Sequence, residues 1–97
     1  MTEYNELTEA ITAVSEGVNY DISVLSNASA LIYDAMEDLN WCGFYIMKDG
    51  KLILGPFQGK AAVSIIEVGN GVCGTAVRDR EVKLVKNVHE YPGHIVC

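Results

Sequence analysis

Residues 41–58 read WCGFYIMKDGKLILGPFQ, and this stretch decides what kind of fold the chain can adopt. Two apolar runs, Trp41–Met47 and Leu52–Gln58, flank Lys48-Asp49-Gly50-Lys51. Asp-Gly between two apolar runs is a strong hairpin signal, because both turn positions take positive φ. Alternation then puts Trp41, Gly43, Tyr45 and Met47 on one face of the first strand, and Cys42, Phe44 and Ile46 on the other. Trp41 and Tyr45 stand about 13 Å apart along that strand. They either fill the core or form the aromatic wall of a ligand pocket, with Gly43 leaving space between them. Gly55-Pro56 is expected to bend or end the second strand, since proline donates nothing to a ladder.

Upstream, Tyr4, Leu7, Ile11, Val14 and Val18 recur at gaps of three or four, which predicts a helix over 3–17. Thr2 suits its cap, Glu3 and Glu6 suit the positive end of its dipole, and Gly17 and Asn19 stop it. Leu25, Ala28, Leu31, Ile32, Ala35 and Leu39 predict a second helix over 21–38. Both read as amphipathic helices covering a sheet, with no chemistry of their own.

Downstream, 61–68 is mixed and reads as strand or connector. Gly69-Asn70-Gly71 is a turn leading into a short helix over 72–77. Arg78-Asp79-Arg80 reads as a polar break, Val82, Leu84 and Val85 as a third strand, and 87–93 as a loop. His94 to Cys97 begins another element. Because the sequence stops there, straight after Ile95-Val96, an interrupted element is expected rather than a finished domain.

Composition bounds the function. A chain of 97 residues makes one domain at most and buries roughly 65% of its unfolded surface. Hydrophobic residues at 49% and charged residues at 21% argue against disorder. The net charge of −6 and the absence of any basic run exclude nucleic-acid binding and disfavour anionic membrane surfaces. No apolar window is long enough to span a membrane, and the acidic amino terminus is no signal peptide. Three cysteines cannot close a disulfide framework, so a cytoplasmic chain with reduced, redox-active or buried thiols is expected.

The stretch from Gly69 to Cys97 concentrates reactive residue types: Cys73, His89, His94 and Cys97 among glycines. A thiol at a helix amino end, the place read for Cys73, has its thiolate favoured by the dipole and the unpaired amides. At an ordinary pKa of about 8.5 some 3% is thiolate at pH 7; a drop to about 6.5 gives roughly three-quarters. Core filling is the alternative for a lone cysteine in apolar surroundings. Zinc is disfavoured because the four ligand types lack a close cysteine pair. GNGVCG matches neither phosphate-loop pattern, and no cofactor is called for.

Four blocks, WCGFY (41–45), LGPFQGK (54–60), GNGVCGTA (69–76) and NVHEYPGHIVC (87–97), together resemble the free methionine-(R)-sulfoxide reductases, enzymes built on a GAF domain. The resemblance covers essentially the whole chain. It implies an α+β (α/β) fold: a GAF-like antiparallel sheet with helices packed on one face, here lacking its last strands and closing helix. Residues 1–97 would then be a single GAF-like domain, incomplete at its carboxyl end. It implies reduction of free methionine-(R)-sulfoxide to methionine, with Cys97 at the nucleophile position and Cys73 at a resolving position. Trp41 and Tyr45 match the aromatic residues that hold the substrate's methyl-sulfur end. A thioredoxin-like dithiol would be the reductant, and a homodimer is compatible with the family.

Two departures stand out. The further cysteine that many members carry is Val63 here, and Cys42 is no match for it. The family's carboxylates that bind the substrate amine and supply a proton lie beyond PGHI-x-C, so a 97-mer alone is expected to lack a complete pocket. The other classes left open are a non-catalytic GAF binding or sensory module and an inactive fragment.

Overall fold

A computed structural model describes residues 4–91 and Gly93. Its elements are α1 (Tyr4–Ser15), α2 (Asp21–Ala35), β1 (Trp41–Lys48), β2 (Lys51–Gly59), β3 (Ile65–Glu67), α3 (Gly71–Asp79) and a 3-10 turn over Val88–Glu90. The three strands form one sheet in the order β1-β2-β3. The chain divides into two compact units, Met1–Phe44 with Gly55–Lys60, and Tyr45–Leu54 with Ala61–Cys97.

The hairpin is built as its sequence predicts. Asp49 and Gly50 take φ of +53° and +75°, the signature of a type I′ turn whose twist matches the strands. A two-residue turn pairs Lys48 with Lys51 and would set Gly43 opposite Pro56. Instead Phe57 lies against Gly43, and Gly59 against Asn40 and Trp41. One extra residue is therefore taken up in β2 between Leu54 and Phe57, as in a β-bulge. Gly55-Pro56 thus does not end the strand, which runs on to Gly59. Proline is tolerated where the ladder is already broken.

In the first unit α1 and α2 pack on each other. Hydroxyls of Thr8, Thr12 and Ser15 donate back to the carbonyls of Tyr4, Thr8 and Ile11 at 2.7–2.9 Å. The helix stops where Gly17 turns to φ +72°. Thr2, its expected cap, lies outside the described residues. Helix α2 buries Ala28 and Ser29, and the Ser29 hydroxyl donates to the Pro56 carbonyl at 3.2 Å. It ends at Ala35 rather than Asp38: Met36 is extended and Asp38 sits at φ +63°. Aspartate accepts that left-handed conformation more readily than most residues, and Met36–Asn40 become the turn into β1. Gln58 lines a groove with Val14, Asn27, Ala30, Leu31 and Asp34 of the helices. Its neighbour Phe57 must then point to the opposite face of the sheet.

In the second unit Lys51, Leu52 and Ile53 pair antiparallel with Glu67, Ile66 and Ile65. The directly opposed Leu52 and Ile66 are 3% and 4% exposed and anchor this core. The mixed stretch resolves into an irregular connector over 61–64 followed by β3. Helix α3 continues through Arg78 and Asp79, so the expected polar break is its last turn; Arg80 at φ +54° caps it, donating to Ala76 and Val77. The expected third strand over 82–85 is absent. These residues pair with no strand among the described residues, and Val82 and Leu84 are 97% and 93% exposed. Alternating apolar residues make a strand only when a neighbour takes up the backbone groups. The loop at 87–93 contains the 3-10 turn, opened by the Asn87 side chain accepting from the His89 amide at 3.1 Å.

Asp79 bonds Arg78 at 2.9 Å and Lys83 at 3.0 Å. The Arg78 hydrogen bond, then that of Lys83, lowers its carboxyl from 3.8 to about 2. A depressed carboxylate stabilises the fold above its unfolded pKa and stops doing so as pH falls through the folded value. Thermal unfolding of wild type and Asp79→Asn is therefore expected to differ above pH 4 and converge as pH falls towards 2. A gap independent of pH over that range would contradict the assignment.

Candidate active site

Strand β1 carries both aromatic candidates. In the first unit Trp41 stacks on Phe57, with ring centroids 5.5 Å apart and planes inclined 15°. Such a pair contributes about 0.5–1.5 kcal/mol beyond its buried area. The stack lies on the face away from the helical groove, and Trp41 is only half-buried. The space over Gly43 that the ligand-wall alternative supposes is filled: an added β-carbon would meet the Phe57 Cβ, with Phe57 Cα and Trp41 Cη2 each at 2.8 Å. Gly43 therefore serves to let the tryptophan ring lie flat across the hairpin, and it leaves no slot beside it.

In the second unit Tyr45, also half-buried, donates its hydroxyl to the Val63 carbonyl at 2.7 Å. Cys73 is the third residue of α3 and exposed, at the amino end as its sequence context implies. The turn before it is tightly tied. The Asn70 amide donates to Glu67 O at 3.1 Å, and the Gly69 amide to Gly74 O at 2.8 Å. A β-carbon on Gly74 would lie 2.5 Å from that Glu67 oxygen. The chain also comes back to this point: a β-carbon on Gly93 would lie 3.7 Å from the Gly71 nitrogen. His94 and Cys97 lie outside the described residues.

Cys42, by contrast, is a half-buried free thiol on β1, and burial pushes its pKa up. Among the described residues no group of His, Cys, Asp or Glu is arranged to hold a metal, and no helix is long and apolar enough to cross a membrane. Two residues escaped the sequence reading. Phe57 could have been found only by knowing that the register shifts at Gly55-Pro56. Val63 acts through its backbone, which leaves no signal in side-chain type.

No protein-family model matches the chain. It is 46% identical over 94 residues to the free methionine-R-sulfoxide reductase of Escherichia coli, covering 97% of this chain and 57% of that one. A solved structure of fRMsr of Staphylococcus aureus in complex with substrate is 44% identical with a TM-score of 0.92, covering all of this chain and 63% of that one. A solved GAF domain aligns at TM-score 0.92 and 44% identity, over 96% of this chain and 56% of its own. Over nearly its whole length the chain is similar to free methionine-R-sulfoxide reductases, and it has a GAF fold. It spans less than two thirds of the length of these relatives.

Within that family frame the sequence blocks take definite places. WCGFY is the first five residues of β1, LGPFQGK runs through the bulge to the end of β2, and GNGVCGTA is the turn and first turns of α3. The last block returns at Gly93 to the third. Gly74→Ala is expected to destabilise by about 1–3 kcal/mol, because the added methyl meets backbone that cannot yield. Chemical denaturation of the two proteins checks this; a neutral or stabilising result would show that α3 can shift freely against β3.

Proposed function

We propose that the full-length protein to which these residues belong reduces free methionine-(R)-sulfoxide to methionine, with Cys97 as nucleophile and Cys73 as resolving thiol, and that the 97-mer alone has little or no activity. The observation that carries this reading is the return of the chain at Gly93 to the amino end of α3. Cys73 is two residues into the helix from Gly71, and Cys97 follows Gly93 by four residues, at most about 14 Å of chain. A disulfide needs Cα atoms roughly 4.4–6.8 Å apart, a separation that a tether of this length allows.

The chemistry balances with these groups. The Cys97 thiolate attacks the sulfoxide sulfur, and the oxygen passes to the cysteine and takes up one proton from an acid. Methionine leaves, two electrons richer, and Cys97 is a sulfenic acid. The Cys73 thiol then attacks the sulfenic sulfur, forming the disulfide and releasing water. A thioredoxin-like dithiol reduces that disulfide by exchange and ends as a disulfide itself. The Trp41 and Tyr45 rings supply apolar surface for the substrate's methyl-sulfur end, a role suited to polarizable sulfur against aromatic faces.

Cys97→Ser is expected to reduce turnover to background. Cys73→Ser should release about one methionine per protein and stop, leaving a sulfenic acid that a dimedone-type trap captures by mass. Sustained wild-type turnover in Cys97→Ser would remove the nucleophile from this scheme. Sustained turnover in Cys73→Ser would remove the resolving thiol.

A further inference from the structure

We propose that Tyr45 acts with two separate parts of its side chain: the ring faces substrate, and the hydroxyl is a positioning link for the strand that leads to Cys73. The inference rests on the sulfoxide-reductase reading above and adds to it. The phenol donates at 2.7 Å to the carbonyl of Val63, inside the connector of residues 61–64. The next carbonyl, that of Ser64, accepts from the Leu54 amide at 2.8 Å. Ladder pairing starts one residue later, at Ile53 with Ile65. The connector is thus held at two successive carbonyls, one by a β1 side chain and one by the β2 backbone.

The link matters because β3 is only three residues long. A strand that short has few ladder bonds to fix its register. Glu67, its last residue, carries the carbonyl that accepts from Asn70 and abuts Gly74. Any slip of β3 therefore displaces the start of α3 and Cys73 with it. Tyr45 stabilises that register from the connector side.

A chemical consequence follows. A phenol has a single proton to donate, and here it is committed to Val63. Tyr45 therefore offers the substrate a ring face and is not the acid that protonates the departing oxygen.

Tyr45→Phe keeps the ring and deletes the link; Tyr45→Leu deletes both. In both variants the Leu54 and Ile65–Glu67 amides are expected to exchange with deuterium about five- to tenfold faster, the effect of losing one hydrogen bond. In Tyr45→Phe, kcat/KM for free methionine-(R)-sulfoxide should fall by a similar factor, with the pH profile of kcat unchanged in shape. Tyr45→Leu should fall further still. Unchanged exchange in Tyr45→Phe would overturn the link, and a lost limb in the pH profile would make the hydroxyl the acid. Turnover is read in the full-length protein; exchange needs none, so an inactive full-length wild type would sink the reductase reading while faster exchange still upheld the link.

Discussion

The register of the β1–β2 hairpin is the constraint on which the other features depend. Strand side chains alternate with a period of two, so a one-residue slip sends every side chain to the other face. Asp49 and Gly50 set the register at one end through their positive φ values. The extra residue taken up near Gly55-Pro56 resets it at the other. Without that shift Gly43 would face Pro56, and Phe57 would turn towards the helices. With it, Phe57 stacks on Trp41 while Gln58 joins the helical groove. The register therefore sorts Phe57 and Gln58 between the aromatic face and the helical face.

A second constraint operates at the start of α3. Gly69, Asn70, Glu67 and Gly74 are joined by backbone contacts short enough to exclude a side chain at Gly74. The Thr75 hydroxyl, buried, returns to the Gly71 carbonyl. These contacts are made by the backbone around Cys73, whose side chain is exposed. This placement suits the proposed redox role, because exchange needs an accessible sulfur while disulfide geometry tolerates little positional error.

The two kinds of feature differed in how far the sequence revealed them. The Asp-Gly turn, the α1 stripe and the Gly-Asn-Gly entry to α3 are encoded locally, so residue type and spacing suffice. Periodicity overruns the end of α2 because Leu39 continues the apolar spacing, while Asp38 adopts a left-handed conformation that periodicity ignores. The strand expected at 82–85 failed for a different reason. Its alternation is genuine, but a strand is defined by its partner, and these residues have none among those described. Gly43 suggests space in the ligand-wall alternative because it lacks a side chain; only the register reveals that Phe57 and the Trp41 ring occupy it. The Tyr45–Val63 bond ends on a carbonyl, which any residue could have supplied. Of the candidate site, the residue types and their order were legible, whereas the contacts that orient them depend on pairing between distant strands.

The contrast between Cys42 and Cys73 shows what physical setting adds to residue type. Both are cysteines flanking a glycine, Cys42-Gly43 and Cys73-Gly74, and both glycines are forced by close backbone approach. Cys42 lies within a strand, half-buried, and its thiol is pushed up by desolvation. A higher thiol pKa means less thiolate at neutral pH, and partial burial restricts the approach of a dithiol reductant. Cys73 lies exposed near the amino end of a helix. The same side chain is thus chemically quiet in one setting and available in the other. Helix position and exposure, more than the presence of a thiol, are what support the proposal that Cys73 partners Cys97.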